Sequence, residues 1–355
     1  MTRTLIRSFT ATNKVKILAI RFSALGDVAM TIPVVVAFCN AHPEVQVTML
    51  TTGLCKKVYD TVTADVQNLN VKAVNLKKDY KGISGLNHLF AELDKEKFDA
   101  VADLHDVLRT KWLRMRFHLK HIHVAKIDKG RDEKKQLTRG GEKQQLISGF
   151  ERYRKVFAAL GYDFPISYDA NAIAQKLRTS LAGKTNSDET IQIGIAPFAQ
   201  HRGKIYPKEK MLQVISLLLE KNSNLHINLF GGPDEATELD QWASTCPQRI
   251  CNRAGKQTIA DDIRLMACLK CMVSMDSSNM HLASLVGTPV VSIWGATHPF
   301  AGFMGFGQDS DNAIQLPLPC RPCSIYGNKP CRLGTWECME GIAPETIVNR
   351  ILKQL

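Results

Sequence analysis

Two doubly wound α/β domains, facing one another across a cleft, are the architecture this sequence predicts. Short β-branched apolar runs alternate with helical segments along the chain, the pattern of parallel sheets covered by helices. The alternation is interrupted at residues 183–188 (GKTNSD), the least core-like stretch after the first series, which divides the chain into domains 1–184 and 185–355. A length of 355 residues also exceeds what one hydrophobic core usually supports.

The elements follow in order. Residues 14–21 (KVKILAIR) read as a buried strand, 23–27 (SALGD) as its loop and 31–40 as a helix. A strand at 45–50 alternates in character, and further short strands are expected at 71–76, 100–104 and 122–127. Residues 128–145 have almost no apolar content and predict an exposed, mobile loop. Apolar positions at helical spacing return at 150–160. The second series has a strand at 191–196, a loop at 197–207, a helix at 208–219 and a strand at 226–230. The turn 231–235 (GGPDE) leads into another helix, and 261–269 precedes the most informative stretch, 272–299. There an apolar strand (272–275) breaks at DSSN, a helix spans 280–286, GTP turns the chain, and 290–293 is a strand again. Residues 344–355 begin with Pro and predict a terminal amphipathic helix.

Composition is that of an ordinary globular protein, with 45% hydrophobic and 23% charged residues. No apolar run approaches the ~18 residues of a membrane span, and no apolar signal core precedes the first strand, so a cytoplasmic protein is expected. The charge is one-sided. Residues 1–184 hold 31 Lys and Arg against 18 Asp and Glu, whereas 185–355 hold 15 against 16. Between Arg109 and Lys143 there are 12 basic and 4 acidic residues. Such a face suits a polyanion: nucleic acid, anionic lipid or a phosphorylated glycolipid. A nucleic-acid-binding α/β protein is therefore one alternative, although no recognition motif is present and aromatics are not interleaved with the basic run. An NAD-dependent oxidoreductase is another, although SALGD stands where a G-x-G-x-x-G loop would follow the first strand.

In doubly wound sheets ligands bind beyond the carboxyl ends of the strands, which selects three loops: 23–27, 197–204 and 276–278. Asp276, Ser277 and Ser278 stand at a helix N-terminus, where unpaired N–H groups attract an anion such as phosphate; their alternative role is to cap that helix. Lys204 suits a phosphate counter-charge. Glu235 suits a ribose hydroxyl or a helix cap. Asp27, a carboxylate beside a glycine on a strand-to-helix loop, is the candidate general base, or again a cap. Cys320, Cys323, Cys331 and Cys338 read C-x2-C-x7-C-x6-C and as thiolates could hold zinc. The lack of a second tight pair favours reduced structural thiols.

Five motifs in order give the chain a family resemblance: RFSALGDVAMTIPVV (21–35), ADLHDVLRTKW (102–112), IGIAPFAQHRGKIYP (193–207), MDSSNMHLASLVGTPVVSIWGATHP (275–299) and the CRPC tail. Together the sequence resembles the heptosyltransferases of glycosyltransferase family 9, lipopolysaccharide-core enzymes of the GT-B fold. The resemblance implies inverting transfer of a heptose from ADP-heptose to a lipid-linked, Kdo-containing acceptor. Another nucleotide sugar on the same fold is the alternative. It implies that Asp27 deprotonates the acceptor hydroxyl and that Lys204 stabilises the leaving diphosphate. Glu235, Asp276, Ser277, Ser278 and His281 would hold the donor. Ser23, Gly26, His105 and Arg109 would fall on the acceptor side. No metal and no cofactor are implied. The implied partners are an ADP-sugar, an anionic glycolipid and the anionic inner surface of a membrane, where the protein would sit peripherally as a monomer. The chain departs from the family pattern at Ser278, where Gly is usual, and at His105-Asp106, where His-Gly is usual.

Overall fold

The computed structural model describes residues 14–140, 143–180 and 190–355. The expected linker at 183–188, and with it the boundary between 184 and 185, lies outside the described residues.

The first sheet contains β1 (Val15–Ile20), β2 (Val45–Thr51), β3 (Leu69–Ala73), β4 (Ala100–Asp103) and β5 (His123–Lys126). Their order is β3-β2-β1-β4-β5, all parallel, with Ile20 opposite both Leu50 and Asp103. The connecting helices are α1 (Leu25–Ala41), α2 (Gly53–Val62), α3 (Gly82–Asp94) and α4 (Leu108–Leu119), followed by α5 (Arg131–Leu137), α6 (Gly149–Ala159) and α7 (Ala170–Thr179). Covering helices on both faces explain why β1 is a continuous apolar run: Ile17, Leu18, Ala19 and Ile20 are all fully buried.

The second sheet repeats the plan. It contains β6 (Ile191–Ala196), β7 (Leu225–Leu229), β8 (Ile250–Asn252), β9 (Cys271–Met275), β10 (Val290–Ile293) and β11 (Ala313–Ile314) in the parallel order β11-β10-β9-β6-β7-β8. Its helices are α8 (Lys208–Lys221), α9 (Ala236–Ser244), α10 (Ile259–Met266), α11 (Ser278–Leu285), α12 (Glu337–Glu340) and α13 (Pro344–Leu352). The terminal helix α13 packs on α8, burying Ile347, Val348 and Ile351 in the second core.

Each sheet has one place where its strand order reverses, between β1 and β4 and between β6 and β9. A crevice opens there because consecutive loops leave in opposite directions. The loops at these two points are those after β1, β4, β6 and β9, which bring Asp27, Lys204 and Asp276 to the crevices. The halves also touch directly. One apolar cluster runs from Val28 and Ile32 of α1 into Met280 and Leu282 of α11, so the cleft is floored by shared core.

Three expectations need correction. Residues 128–145 are not simply an exposed loop: they carry α5, and Lys134 and Leu137 are buried. The partners come from distant sequence, since Glu133 pairs with Arg152 at 2.7 Å and the Lys134 ammonium sits 4.3 Å from the Phe303 ring centroid. Helix α1 begins at Leu25, six residues earlier than its apolar pattern suggests, which puts Asp27 in the first turn. The strand expected at 71–76 is β3, shifted to pair Leu69 with Val47. No helix among the described residues is long and apolar enough to cross a membrane.

Candidate active site

A cavity of about 660 Å³ opens where the two crevices face each other. Residues 24–27 form one wall; residues within 198–204, 232–235, 276–281 and 325–328 form the other, with Phe303. Gly26, Asp27, Lys204, Glu235, Asp276, Ser277, Ser278 and His281 all line it. Ser23, His105 and Arg109 do not. Ser23 is exposed just outside, His105 is buried behind the β1 loop, and Arg109 is exposed on the first turn of α4.

Asp27 is held from behind. Arg21, the residue after β1, is buried and places its guanidinium 2.7 Å from the Asp27 carboxylate. The same guanidinium donates to the Leu104 carbonyl at 2.6 Å and lies 5.5 Å from the Tyr153 ring centroid. Tyr153 in turn donates to the Asp27 carbonyl at 3.3 Å. The Asp27 carboxylate also accepts the Ala24 N–H at 3.4 Å, so the capping role is real but weak. Its side chain keeps 34% exposure, toward the cavity, while that of Arg21 has 8%.

Across the cavity the pairing is inverted. The Lys204 ammonium lies 2.9 Å from the Asp276 carboxylate, and here the carboxylate is the buried partner, at 5% against 17%. None of Asp276, Ser277 and Ser278 caps α11 with its side chain; Ser277 is instead within hydrogen-bond distance of Ser274, 3.1 Å between hydroxyls. The first turn of α11 thus lines the cavity with no side-chain acceptor for its amides among the described residues, the arrangement that binds anions. Glu235 accepts the Gly232 N–H at 2.7 Å, which fulfils its capping role while leaving the residue in the cavity wall. Burial raises its carboxyl above the usual range, and the Gly232 bond only partly offsets this.

His281 joins the walls. Burial pushes its imidazole down to about 4, so it is neutral near pH 7, and Asp276, Asp27 and Lys204 all act on it electrostatically. Its Nδ1 is buried without a hydrogen-bond partner among the described residues. The contact with α1 is close: a Cβ at Gly26 would come 2.9 Å from the His281 ring and 3.3 Å from Ser278 Cα. Gly26 thus serves the approach of the two halves. His105 is likewise pulled down to about 4, first by burial and then by Arg21, and as a neutral ring its Nδ1 accepts the Phe22 N–H at 3.3 Å.

Several residues at or beside the wall carry no signal in the local sequence. Lys134 lies outside the cavity lining but packs over Phe303, which does line it, and its ammonium is drawn down to about 8 by burial and then by Arg152. Phe198, Phe303 and Tyr326 supply apolar wall from three distant segments. The cysteine segment contributes Ile325, Tyr326 and Asn328 through its backbone course. Cys323 and Ser324 N–H groups donate to Ala296 at 3.1 and 3.2 Å, and the buried Arg321 binds the Trp294 and Thr297 carbonyls, both at 2.9 Å. Cys320, Cys323, Cys331 and Cys338 are free thiols, Cys320 exposed and Cys338 buried. Among the described residues no group of three or more His, Cys, Asp or Glu is disposed to hold a metal ion.

Comparison with known proteins identifies the family and the fold. The sequence profile of the family described as glycosyltransferase family 9 (heptosyltransferase) matches residues 86–336. Lipopolysaccharide heptosyltransferase 1 of Escherichia coli (strain K12) is 25% identical over 294 residues, covering 80% of this chain and 89% of that protein. A shorter match, 26% identical over 106 residues, links 30% of this chain to 31% of lipooligosaccharide heptosyltransferase 2 of Campylobacter jejuni. Among solved structures, E. coli heptosyltransferase WaaC with ADP has a TM-score of 0.69 at 19% identity, covering 96% of this chain and all of that one. The shared fold is GT-B.

Proposed function

The chain belongs to glycosyltransferase family 9 and is a glycosyltransferase, and from that premise we propose that it transfers a heptose from ADP-heptose to a lipid-linked, Kdo-containing acceptor of the lipopolysaccharide core. The observation that carries this reading is the inverted pair of ion pairs across one cavity. A reachable carboxylate, Asp27, faces a reachable ammonium, Lys204, beside an uncapped helix N-terminus.

On this reading the first domain, 1–184, holds the acceptor and the second, 185–355, the donor. Asp27 takes the proton of the acceptor hydroxyl as its oxygen attacks the anomeric carbon from the face opposite the leaving diphosphate, which inverts that centre. Arg21 keeps the carboxylate oriented through their 2.7 Å contact. Lys204 and the first-turn amides of α11 stabilise the negative charge on the departing ADP. Asp276 contacts the sugar and orients Lys204, and Glu235 accepts from the ribose. Ser277, Ser278 and His281 complete the donor wall. Ser23, Gly26, His105 and Arg109 belong to the acceptor side, where Lys129 and Lys134 add positive charge suited to acceptor carboxylates or phosphates. The basic first half sits against an anionic inner-membrane surface, in the cytoplasm, as a monomer.

A thermal-shift screen tests the class of ligand. ADP and ADP-sugars are expected to raise the melting temperature, and NAD and oligonucleotides to leave it unchanged. Stabilisation by oligonucleotides alone would overturn the reading. A mass-spectrometric donor screen against defined truncated glycolipids then identifies the sugar and the acceptor.

A further inference from the structure

Helix α4 presents apolar side chains on two opposite faces. Inward, Leu113 and Phe117 are buried in the core of the first sheet with Leu89 and Phe90 of α3. Outward, Leu108, Met115 and Leu119 are 85%, 44% and 69% exposed, while Trp112, on the same side of the helix, is half-buried and packs against the inner core. Positions 108, 112, 115 and 119 form one stripe on a helix of 3.6 residues per turn. The same geometry puts Arg109, Arg116 and Lys120 along one border of the stripe and Lys111 and His118 along the other. Among the described residues the Arg109 and Lys111 side chains have no hydrogen-bond or ion-pair partner.

A single exposed leucine needs no explanation, whereas three large apolar groups aligned on one stripe do. No part of the described chain covers them. Helices α1 and α2 lie between the first sheet and the second half, packed on α11 and α10, whereas α3 and α4 share the separate core on the other face. The N-terminus of α4 nevertheless begins at the carboxyl end of β4, beside the crevice that opens onto Asp27. Apolar stripe, cationic borders and an excess of positive charge throughout this half match the surface of an anionic bilayer.

We propose that the outer stripe of α4, formed by Leu108, Met115 and Leu119 beside the half-buried Trp112, is the face that inserts into an anionic lipid leaflet. There it brings the cleft edge of the first domain to a membrane-held acceptor. The inference rests on the reading above that the acceptor is lipid-linked. Its test uses the full chain with vesicles of phosphatidylglycerol and phosphatidylcholine, against phosphatidylcholine alone. The wild type is expected to co-sediment with the anionic vesicles and to blue-shift its tryptophan emission, and Trp112→Phe to lose that shift. The combined variant Leu108→Asp, Met115→Asp, Leu119→Asp is expected to partition ~10-fold or more weakly while keeping its ADP-induced thermal shift and its turnover on a deacylated, soluble acceptor. Where that variant loses the ADP shift and so its fold, Leu108→Ser at the helix end decides, with a smaller loss in the same direction. Undiminished vesicle binding in either folded variant would overturn the proposal. So would a change only in oligomeric mass, which would make the stripe an interface between copies of the chain. Stripe-dependent vesicle binding without transfer to any acceptor would support the surface and overturn the acceptor reading, so the two fail separately.

Discussion

The β1–α1 loop and the β6–β9 crevice solve the same structural problem with opposite outcomes. Each sets one carboxylate against one cation at the carboxyl end of a parallel sheet: Asp27 with Arg21 at 2.7 Å, Asp276 with Lys204 at 2.9 Å. In the first pair the cation is the more buried partner, at 8% against 34%; in the second it is the carboxylate, at 5% against 17%. Whichever partner is more exposed gives the wall its chemistry. The first wall presents a carboxylate that can accept a proton, and the second an ammonium that can hold a phosphate. Paired charges are tolerated there because neither is buried alone, and their asymmetry of burial, rather than their presence, supports the proposed roles.

That comparison is broken most sharply at Asp27. Asp27→Ala is expected to lower kcat by ~10²–10⁴-fold, the worth of a general base, while calorimetric ADP affinity stays within about twofold. Loss of ADP binding with normal turnover would reverse the division of labour. Lys204→Ala should weaken ADP binding and slow turnover together, each by roughly 10–100-fold, because one cation serves the ground state and the leaving group. It also leaves Asp276 buried without its cation, so a lowered melting temperature should accompany the kinetic loss.

Gly26→Ala probes the contact between the walls. With its Cβ 2.9 Å from the His281 ring and 3.3 Å from Ser278 Cα, the substitution is expected to cost about 1–3 kcal/mol in denaturant unfolding. Turnover should fall more than ADP affinity, since the wall proposed to hold the nucleotide survives when the halves separate.

The smallest expected effect is on pH. His281, His105 and His298 are held near 4, principally by burial, below the ordinary value of 6.5. Protonation therefore favours the unfolded chain. Stability is full above about pH 6.5 and is lost as pH falls from there toward 4. His298→Asn keeps a side chain able to accept the Phe300 N–H, made by His298 Nδ1 at 3.1 Å, and should flatten the fall in melting temperature between pH 6.5 and 4.5. The effect is on the order of 1–2 kcal/mol.

Much of this site was legible because its residues lie in short, locally patterned loops. Asp27, Asp276 and Ser277 each follow a strand whose apolar run is visible in sequence, and the strand end tells where a ligand binds. Lys134 was not legible. Its neighbours 128–145 are polar, and the Phe303 ring it packs over and the Arg152 charge that acts on it both come from distant segments. The capping alternatives divided in a way local sequence does not reveal. Glu235 does cap at 2.7 Å, whereas Asp276 turns to Lys204, 72 positions away in sequence, and leaves α11 uncapped. Arg109 shows the converse, since its motif is clear but its side chain is outside the cavity.

The sequence by itself determined the architecture and the family, and pointed to the strand-end loops that line the cavity, because strand and helix periods, glycine-bearing turns and strand-end loops are local properties. Tertiary structure alone decided which partner of each ion pair is reachable, that Gly26 admits His281, and that α4 carries an uncovered apolar stripe. Burial depends on what arrives from the far side of the fold, and no window of sequence contains its own neighbours.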